Sequence, residues 1–174
     1  MQQADKTRET FIRLYDEFMP KVFRYIHYKV NNKQVTEDLS SSVFEKALVN
    51  FSKYSSDKAS FSTWIFSIAR NTVIDYYRTD GKRQGVFPDE AIDMPTRDLS
   101  PEEEAERKAE RECLQLCMAK LSQEEQEIMH LKFAAELNNR QIAKMLRLSE
   151  SNVGTKLFRA VRKLRDTFRE SWNE

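Results

Sequence analysis

The run SESNVGTKLFRAVRK, residues 149–163, places Asn152, Thr155, Lys156, Arg159 and Lys163 at three- and four-residue intervals. On a helix turning about 100° per residue these five share one side, opposite a stripe of Val153, Leu157, Ala160, Leu164 and Phe168. Their chemistry is that of duplex recognition. Short polar side chains at the start of such a helix, here Glu150, Ser151, Asn152 and Thr155, are the ones that reach base edges. Lysines and arginines further along, such as Lys156, Arg159, Arg162 and Lys163, meet phosphates. The preceding NNRQIAKMLRL, residues 138–148, turns Ile142, Ala143 and Leu146 inward. Small Ala143 permits the steep, close crossing that a helix-turn-helix requires. The competing reading is a basic amphipathic helix that closes a bundle with its charges merely solvated.

A second organised face lies in FSTWIFSIARNTVIDYYR, residues 61–78. There Trp64, Asn71, Asp75 and Arg78 fall together, about a quarter turn from the apolar stripe Ile65, Ile68, Ala69, Thr72 and Tyr76. An indole flanked by an amide and a guanidinium suits single-stranded nucleic acid, whose unpaired bases can stack and be hydrogen-bonded. The loop before it, FSKYSSDKASF, sets Phe51, Tyr54 and Phe61 around small polar residues and could enclose a flipped base. For Phe51 and Phe61 the competing reading is a place in the core of a small bundle.

Helices must position both faces. Phe11, Leu14, Tyr15, Phe18, Val22 and Ile26 form one stripe, within which Pro20 predicts a kink or break. Val35, Leu39, Val43, Ala47, Leu48 and Phe51 form the next, with Thr36 as its expected N-cap. With the helix after Ser60, these make a three-helix bundle. From Thr79 to Leu99 the period disappears in TDGKRQGVFPDEAIDMPTRDL, which reads as an extended linker. Capping boxes then announce three helices: Ser100 with Glu103 (and Pro101 at the first helical position), Ser122 with Glu125, and Asn138 with Gln141. Ile128, Leu131 and Phe133 mark the core side of the second, and Ser149 caps the last helix. The expected fold is all-α: two small helical domains, 1–79 and 100–174, the second a four-helix helix-turn-helix unit, joined by an acidic linker at 80–99.

Charge follows this division. Residues 1–79 carry 12 basic and 9 acidic groups, 80–112 carry 6 and 11, and 113–174 carry 11 and 8, so two mildly basic blocks flank an acidic one. No apolar run is long enough to span a bilayer, and the start MQQADKTRETF lacks the layout of a signal peptide, so a cytoplasmic location without membrane insertion is expected. Cys113 and Cys117 are read as buried or idle thiols, since zinc needs about four ligands and His27 and His130 lie far off. No metal or cofactor is expected. The carboxylates concentrate in the linker and at helix starts, where capping explains them, and no catalytic residue stands out.

TEDLSSSVFEKAL, FSTWIFSIARNTVIDYYR and LSQEEQEIMHLKFAAELNNRQIAKMLRLSESNVGTKLFRAVRKLR, in this order and spacing, resemble the extracytoplasmic-function class of bacterial sigma factors. The resemblance implies a first domain that binds the promoter −10 element and the polymerase clamp, and a second that binds the −35 element. It implies core RNA polymerase (clamp and flap), promoter DNA and an anti-sigma factor as partners, and transcription of a stress- or signal-responsive gene set as the function. Asp38, Leu39 and Phe44 fall in the clamp-binding pattern. Asn71, Asp75 and Arg78 match the −10 signature, to which Tyr54 and Trp64 are joined as stacking groups. Ser151, Asn152, Thr155, Lys156, Arg159 and Lys163 fall on the −35 helix. Arg147 occupies a turn position where the family commonly has glycine, and Gly154 lies inside the reading helix. A stand-alone dimeric helix-turn-helix regulator is the alternative, and it leaves the face bearing Trp64 and Asn71 without a task.

Overall fold

A computed structural model of the chain describes residues 2–80 and 100–172. The segment expected to form most of the linker, 81–99, lies outside the described residues. Seven α-helices follow in order among the described residues: α1 (Gln2–Val30), α2 (Lys33–Asn50), α3 (Phe61–Asp80), α4 (Pro101–Ala119), α5 (Gln123–Met129), α6 (Asn139–Leu146) and α7 (Glu150–Trp172). A 3₁₀ turn, Phe51–Lys53, extends α2, and a π turn, His130–Ala134, extends α5. No helix among the described residues is long and apolar enough to cross a membrane.

The predicted caps form where backbone N–H groups would otherwise lack partners. Ser100 with Glu103, Ser122 with Glu125 and Asn138 with Gln141 each make both bonds of a capping box. Ser149 Oγ accepts from the Asn152 amide at 3.1 Å. One expectation fails. Asn32, not Thr36, caps α2: its side chain accepts from the Val35 amide at 2.9 Å. Thr36 lies inside the helix and donates back to the Asn32 carbonyl at 2.7 Å. Helix α1 runs through Pro20 without a break. Phe11, Phe18, Val22 and Ile26 are buried on both sides of it, and that shared packing outweighs one missing backbone bond.

Helices α1, α2 and α3 pack on one another, and α4, α5 and α6 each pack on α7. The two groups are not independent bodies. Helix α1 lies against the π turn and α3 against α6, so one buried cluster runs from Phe11 through Phe66 to Leu131, Ile142 and Val153. A smaller cluster joins Leu121, Met129 and Ala160. Three stripe positions leave the core. Tyr15 is 39% exposed on α1. Leu48 is 58% exposed on α2, and Phe133, which straight helical spacing placed inside, is also 58% exposed. The π turn explains Phe133, because its wider winding shifts the phase of every residue after Met129.

Arg147 ends α6 with φ 58° and ψ 42°, a left-handed conformation that disfavours a side chain bearing Cβ. The turn between the paired helices thus has the backbone that glycine would take at least cost. Gly154, inside α7, has no such need. A Cβ built there meets only the Asn139 amide at an ordinary 3.7 Å. Gly154→Ala is therefore expected to stabilise the chain by roughly 0.5–1 kcal/mol through helix propensity alone. Urea denaturation would register this as a higher midpoint at unchanged slope.

Candidate nucleic-acid interface

The α3 face is built on an aromatic platform. Phe61 is buried, its ring 5.1 Å from that of Phe18, and Phe51 stands 5.0 Å from Phe11. These two belong to the core, as the competing reading had it. Tyr54 stacks on Phe51 and meets Phe61 edge-on, Trp64 packs tilted against both, and the Tyr54 and Trp64 centroids are 5.0 Å apart with both residues half-buried. Ser60 orients the start of α3 by accepting from the Thr63 amide at 3.3 Å. Two turns on, Asn71, Asp75 and Arg78 are exposed, with Asp75 Oδ1 3.1 Å from the Arg78 guanidinium. Both groups are well solvated, so this pair orients Arg78 more than it stabilises the helix. Trp64, Asn71, Asp75 and Arg78 thus share one side of α3 by helical spacing, with Tyr54 against Trp64.

On α7, Ser151, Asn152, Thr155 and Arg159 are exposed on the side away from buried Val153 and Ala160. Thr155 donates its hydroxyl to the Ser151 carbonyl at 3.0 Å, leaving oxygen lone pairs free for an incoming donor. The lysines are differently placed. Lys156 reaches Glu124 at 2.7 Å and Lys163 reaches Glu125 at 3.3 Å, both at the start of α5. The Glu125 carboxyl is held below its usual range, first by its hydrogen bond to the Ser122 backbone and then by Lys163. Arg159 has no acidic partner among the described residues. Mid-length on the helix, Arg159 is therefore unencumbered, while Lys156 and Lys163 are tethered to α5 and Arg162 and Arg165 to Asp166 of α7 itself.

Helix α2 divides the residues expected at the polymerase. Asp38 is exposed and Leu39 half-buried, but Phe44 is buried, its ring 4.7 Å from that of Tyr15. Phe44 therefore supports the helix from inside instead of presenting a contact, because its spacing from Val43 and Ala47 keeps it on the core face. Cys117 is buried and Cys113 half-buried, and burial, reinforced by Cys113, raises the Cys117 thiol above its usual range. The expected burial thus holds for Cys117.

Sequence reasoning missed the cluster joining the two halves. Glu127 of α5 is buried and accepts from the Tyr25 hydroxyl at 2.8 Å, pairs with Lys29, and lies 3.4 Å from Arg70 Nε. Burial alone would raise its carboxyl, but Lys29, Tyr25 and Arg70 together hold it below the ordinary value. His130, stacked on Tyr28 at 6.0 Å, is depressed to about 4 by burial and by Lys29, against the opposing pull of Glu127. Beyond the π turn, Glu136 bonds Lys21 at 2.9 Å and Arg24 at 2.8 Å. Arg24 also donates to the Ala134 carbonyl at 3.0 Å, closing a helix end that would otherwise leave it open. One signal was available: Glu127, four before Leu131, puts a charge on the core stripe, and such a charge demands a partner.

Comparison with known proteins places this geometry. Residues 14–83 match the Sigma-70 region 2 family and residues 111–164 the Sigma-70 region 4 family. The ECF RNA polymerase sigma factor SigX of Bacillus subtilis is 30% identical over 161 residues, covering 90% of this chain and 82% of SigX. The chain is an ECF-class RNA polymerase sigma factor. BldN of Streptomyces coelicolor, another ECF sigma factor, is 31% identical over 90% of this chain, which spans 59% of BldN's length. The sigma factor RpoE of Bartonella quintana, solved with the anti-sigma factor NepR, shares the fold at 15% identity with a TM-score of 0.70, covering 92% of this chain and 98% of RpoE. In this sigma factor the region 2 match contains α2 and α3 with the aromatic loop between them, and the region 4 match ends inside α7.

Acid should loosen the sigma factor through the same cluster. His130 takes up a proton near pH 6.5 when unfolded but only near 4 when folded, so its contribution is complete above about 6.5. It is lost as pH falls from there toward 4, by up to about 1.4 kcal/mol per pH unit. Glu127 adds to the loss lower down, as pH falls through the unfolded carboxylate range. Urea unfolding at pH 7.5, 6 and 5 is expected to give falling stability, and His130→Gln is expected to flatten that trend between 6.5 and 5.

Proposed function

We propose that this sigma factor joins core RNA polymerase in the cytoplasm, reads the −35 duplex with α7, and captures a base of the opened −10 strand with α3 and its preceding loop. It performs no bond chemistry of its own. In this reading residues 1–79 serve the −10 element and the clamp, and 100–174 the −35 element. Tyr54 and Trp64 supply the stacking surface, Asn71 reads the base edge, and Asp75 and Arg78 place the backbone. Ser151, Asn152 and Thr155 face base edges. Arg159 meets phosphate, and Lys156 and Lys163 join it only by releasing Glu124 and Glu125. Asp38 and Leu39, with exposed Leu48 and Val49 further along α2, face the polymerase clamp. An anti-sigma partner restrains the chain, a reading supported by RpoE having been solved with NepR.

The observation that carries the proposal is the presence of two separate polar faces, on α3 and α7, in one chain. Stacking groups line the first and short polar residues before a cation line the second. A stand-alone dimeric regulator would use only α7. Run-off transcription with the source organism's core polymerase and promoter pool tests it. Specific new transcripts are expected, and absence of any binding to core would overturn the reading.

Two substitutions separate the faces. Arg159→Ala is expected to weaken −35 duplex binding across sequences and to reduce the slope of log affinity against log salt by about one, measured by titration at several salt concentrations. Asn71→Ala is expected to impair promoter opening, followed by permanganate reactivity, while polymerase binding stays intact.

A further inference from the structure

Helices α3 and α6 flank a cleft of about 350 Å³. Ser67, Arg70 and Asn71 make one wall, and Met145, Leu146 and Arg147, the end of α6 and its turn, make the other. That volume is within the range of small-molecule sites. Among the described residues no carboxylate lines it, and its two arginines stand on opposite walls. The walls are fixed before anything enters. Gln141 donates through Nε2 to Ser60 Oγ at 3.0 Å and to Ser62 Oγ at 2.8 Å, and Lys144 donates to the Lys58 carbonyl at 2.7 Å. A ligand there need not spend binding energy on assembling the site.

Both arginines have charge to spare. Arg70 Nε lies 3.4 Å from Glu127 Oε1 but is not aligned to donate to it, and the atom is buried without a hydrogen-bond partner. Glu127 is already paired with Lys29, so the three groups together leave one positive charge beside the cleft. Arg147 has no acidic partner among the described residues, and it keeps its guanidinium there in a left-handed backbone that glycine would take at less cost. Strain of this kind collects at binding sites. The other lining groups differ in what they offer. Ser67 donates its hydroxyl to the Thr63 carbonyl at 2.7 Å, so its oxygen is left to accept. The exposed Asn71 amide supplies both a donor and an acceptor, and half-buried Met145 and Leu146 supply apolar surface.

We propose that the cleft between α3 and the end of α6 binds a small phosphate-bearing ligand of the nucleoside diphosphate class, with Arg70 and Arg147 taking its phosphates from opposite walls. The planar guanidinium fork matches phosphate oxygens two at a time. A terminal phosphate carries more charge than the single charge of a DNA diester, which suits two arginines better than one strand of backbone does. Ser67 accepts from a sugar hydroxyl, and Met145 and Leu146 lie against the base. The lining comes from both halves of the chain, so the bound ligand fastens α3 to α6 and stabilises the folded state by mass action. The site stands on its own residues and goes beyond the promoter reading proposed above.

The test is calorimetric titration of the full chain with ADP at fixed ionic strength, with adenosine and inorganic pyrophosphate titrated as its two parts. Saturable binding of one ADP per chain is expected, weaker binding of pyrophosphate and none of adenosine, with a thermal midpoint that rises with ADP concentration. Arg147→Gly removes one guanidinium and suits the left-handed backbone, and Arg70→Lys keeps a charge beside Glu127 but loses the fork. Each is expected to weaken ADP binding at least about tenfold, the loss of one charged hydrogen-bonding group. Circular dichroism checks that both keep their helices, and Arg147→Gly carries the test alone if Arg70→Lys does not fold. Arg159→Ala, outside the cleft, is expected to leave ADP binding unchanged. Absence of saturable ADP binding would overturn the proposal, as would binding that survives both cleft substitutions or falls equally with Arg159→Ala. Pyrophosphate binding as tightly as ADP would overturn the nucleoside part. A random-sequence pool of single-stranded oligonucleotides is the last arm: binding that depends on Arg70 and Arg147 while ADP fails to bind would give the cleft to a DNA backbone instead.

Discussion

The Glu127 carboxylate sits where α1, α3 and α5 meet, and removing its charge from water would cost several kcal/mol without replacement partners. Tyr25 and Lys29 supply them from one helix and Arg70 from another. Each partner is itself positioned by packing: Tyr25 is fully buried against Phe66, and the Lys29 carbonyl receives the Tyr77 hydroxyl from α3. The cluster therefore acts as a register mark. If α1 slid or turned on α5, buried donors and a buried carboxylate would lose their partners together. Apolar side chains tolerate such slippage far better, because their attraction has little direction.

The π turn after α5 is the geometric counterpart of this electrostatic constraint. It carries the chain from Met129 to Ala134 with one wider turn and exposes Phe133. It leaves the Ala134 carbonyl where the Arg24 guanidinium can reach it. Glu136 then takes a left-handed backbone, φ 58°, and faces Lys21 and Arg24. From there Asn138 starts α6, so the direction of the helix-turn-helix unit relative to α1 is set within a few residues. The acidic start of α5 acts in the other direction, on α7. Glu124 and Glu125 hold Lys156 and Lys163 close to the protein, which lowers the non-specific attraction of α7 for any polyanion. Arg159 and the short polar residues before it stay exposed, and in the proposed reading what remains favours shape and base edges over bulk charge.

The aromatic loop joins stability to the recognition proposed for it in one set of residues. Phe51 and Phe61 anchor it in the core, while Tyr54 and Trp64 pack against them and stay half-buried. A stacking surface must be rigid before a base arrives, or ordering it would consume much of the binding energy. The buried rings supply that rigidity.

Much of this was determined by the sequence alone. Helix starts were legible because a capping box is a local pattern: an acceptor and a Glu or Gln three residues apart satisfy orphan N–H groups wherever they occur. Both polar faces were legible because helical spacing alone puts Asn71 with Asp75, and Asn152 with Thr155 and Arg159, on common sides. Thr36 and Phe133 were misplaced for reasons a one-dimensional pattern does not hold, a better-placed cap at Asn32 and a change of winding within α5. Only the tertiary structure decided that α1 lies on the π turn and α6 on the loop before α3. Residues such as Tyr25 and Glu127, or Ser62 and Gln141, meet across long stretches of chain. Their pairing depends on relative orientation in space, which neither periodicity nor local propensity encodes.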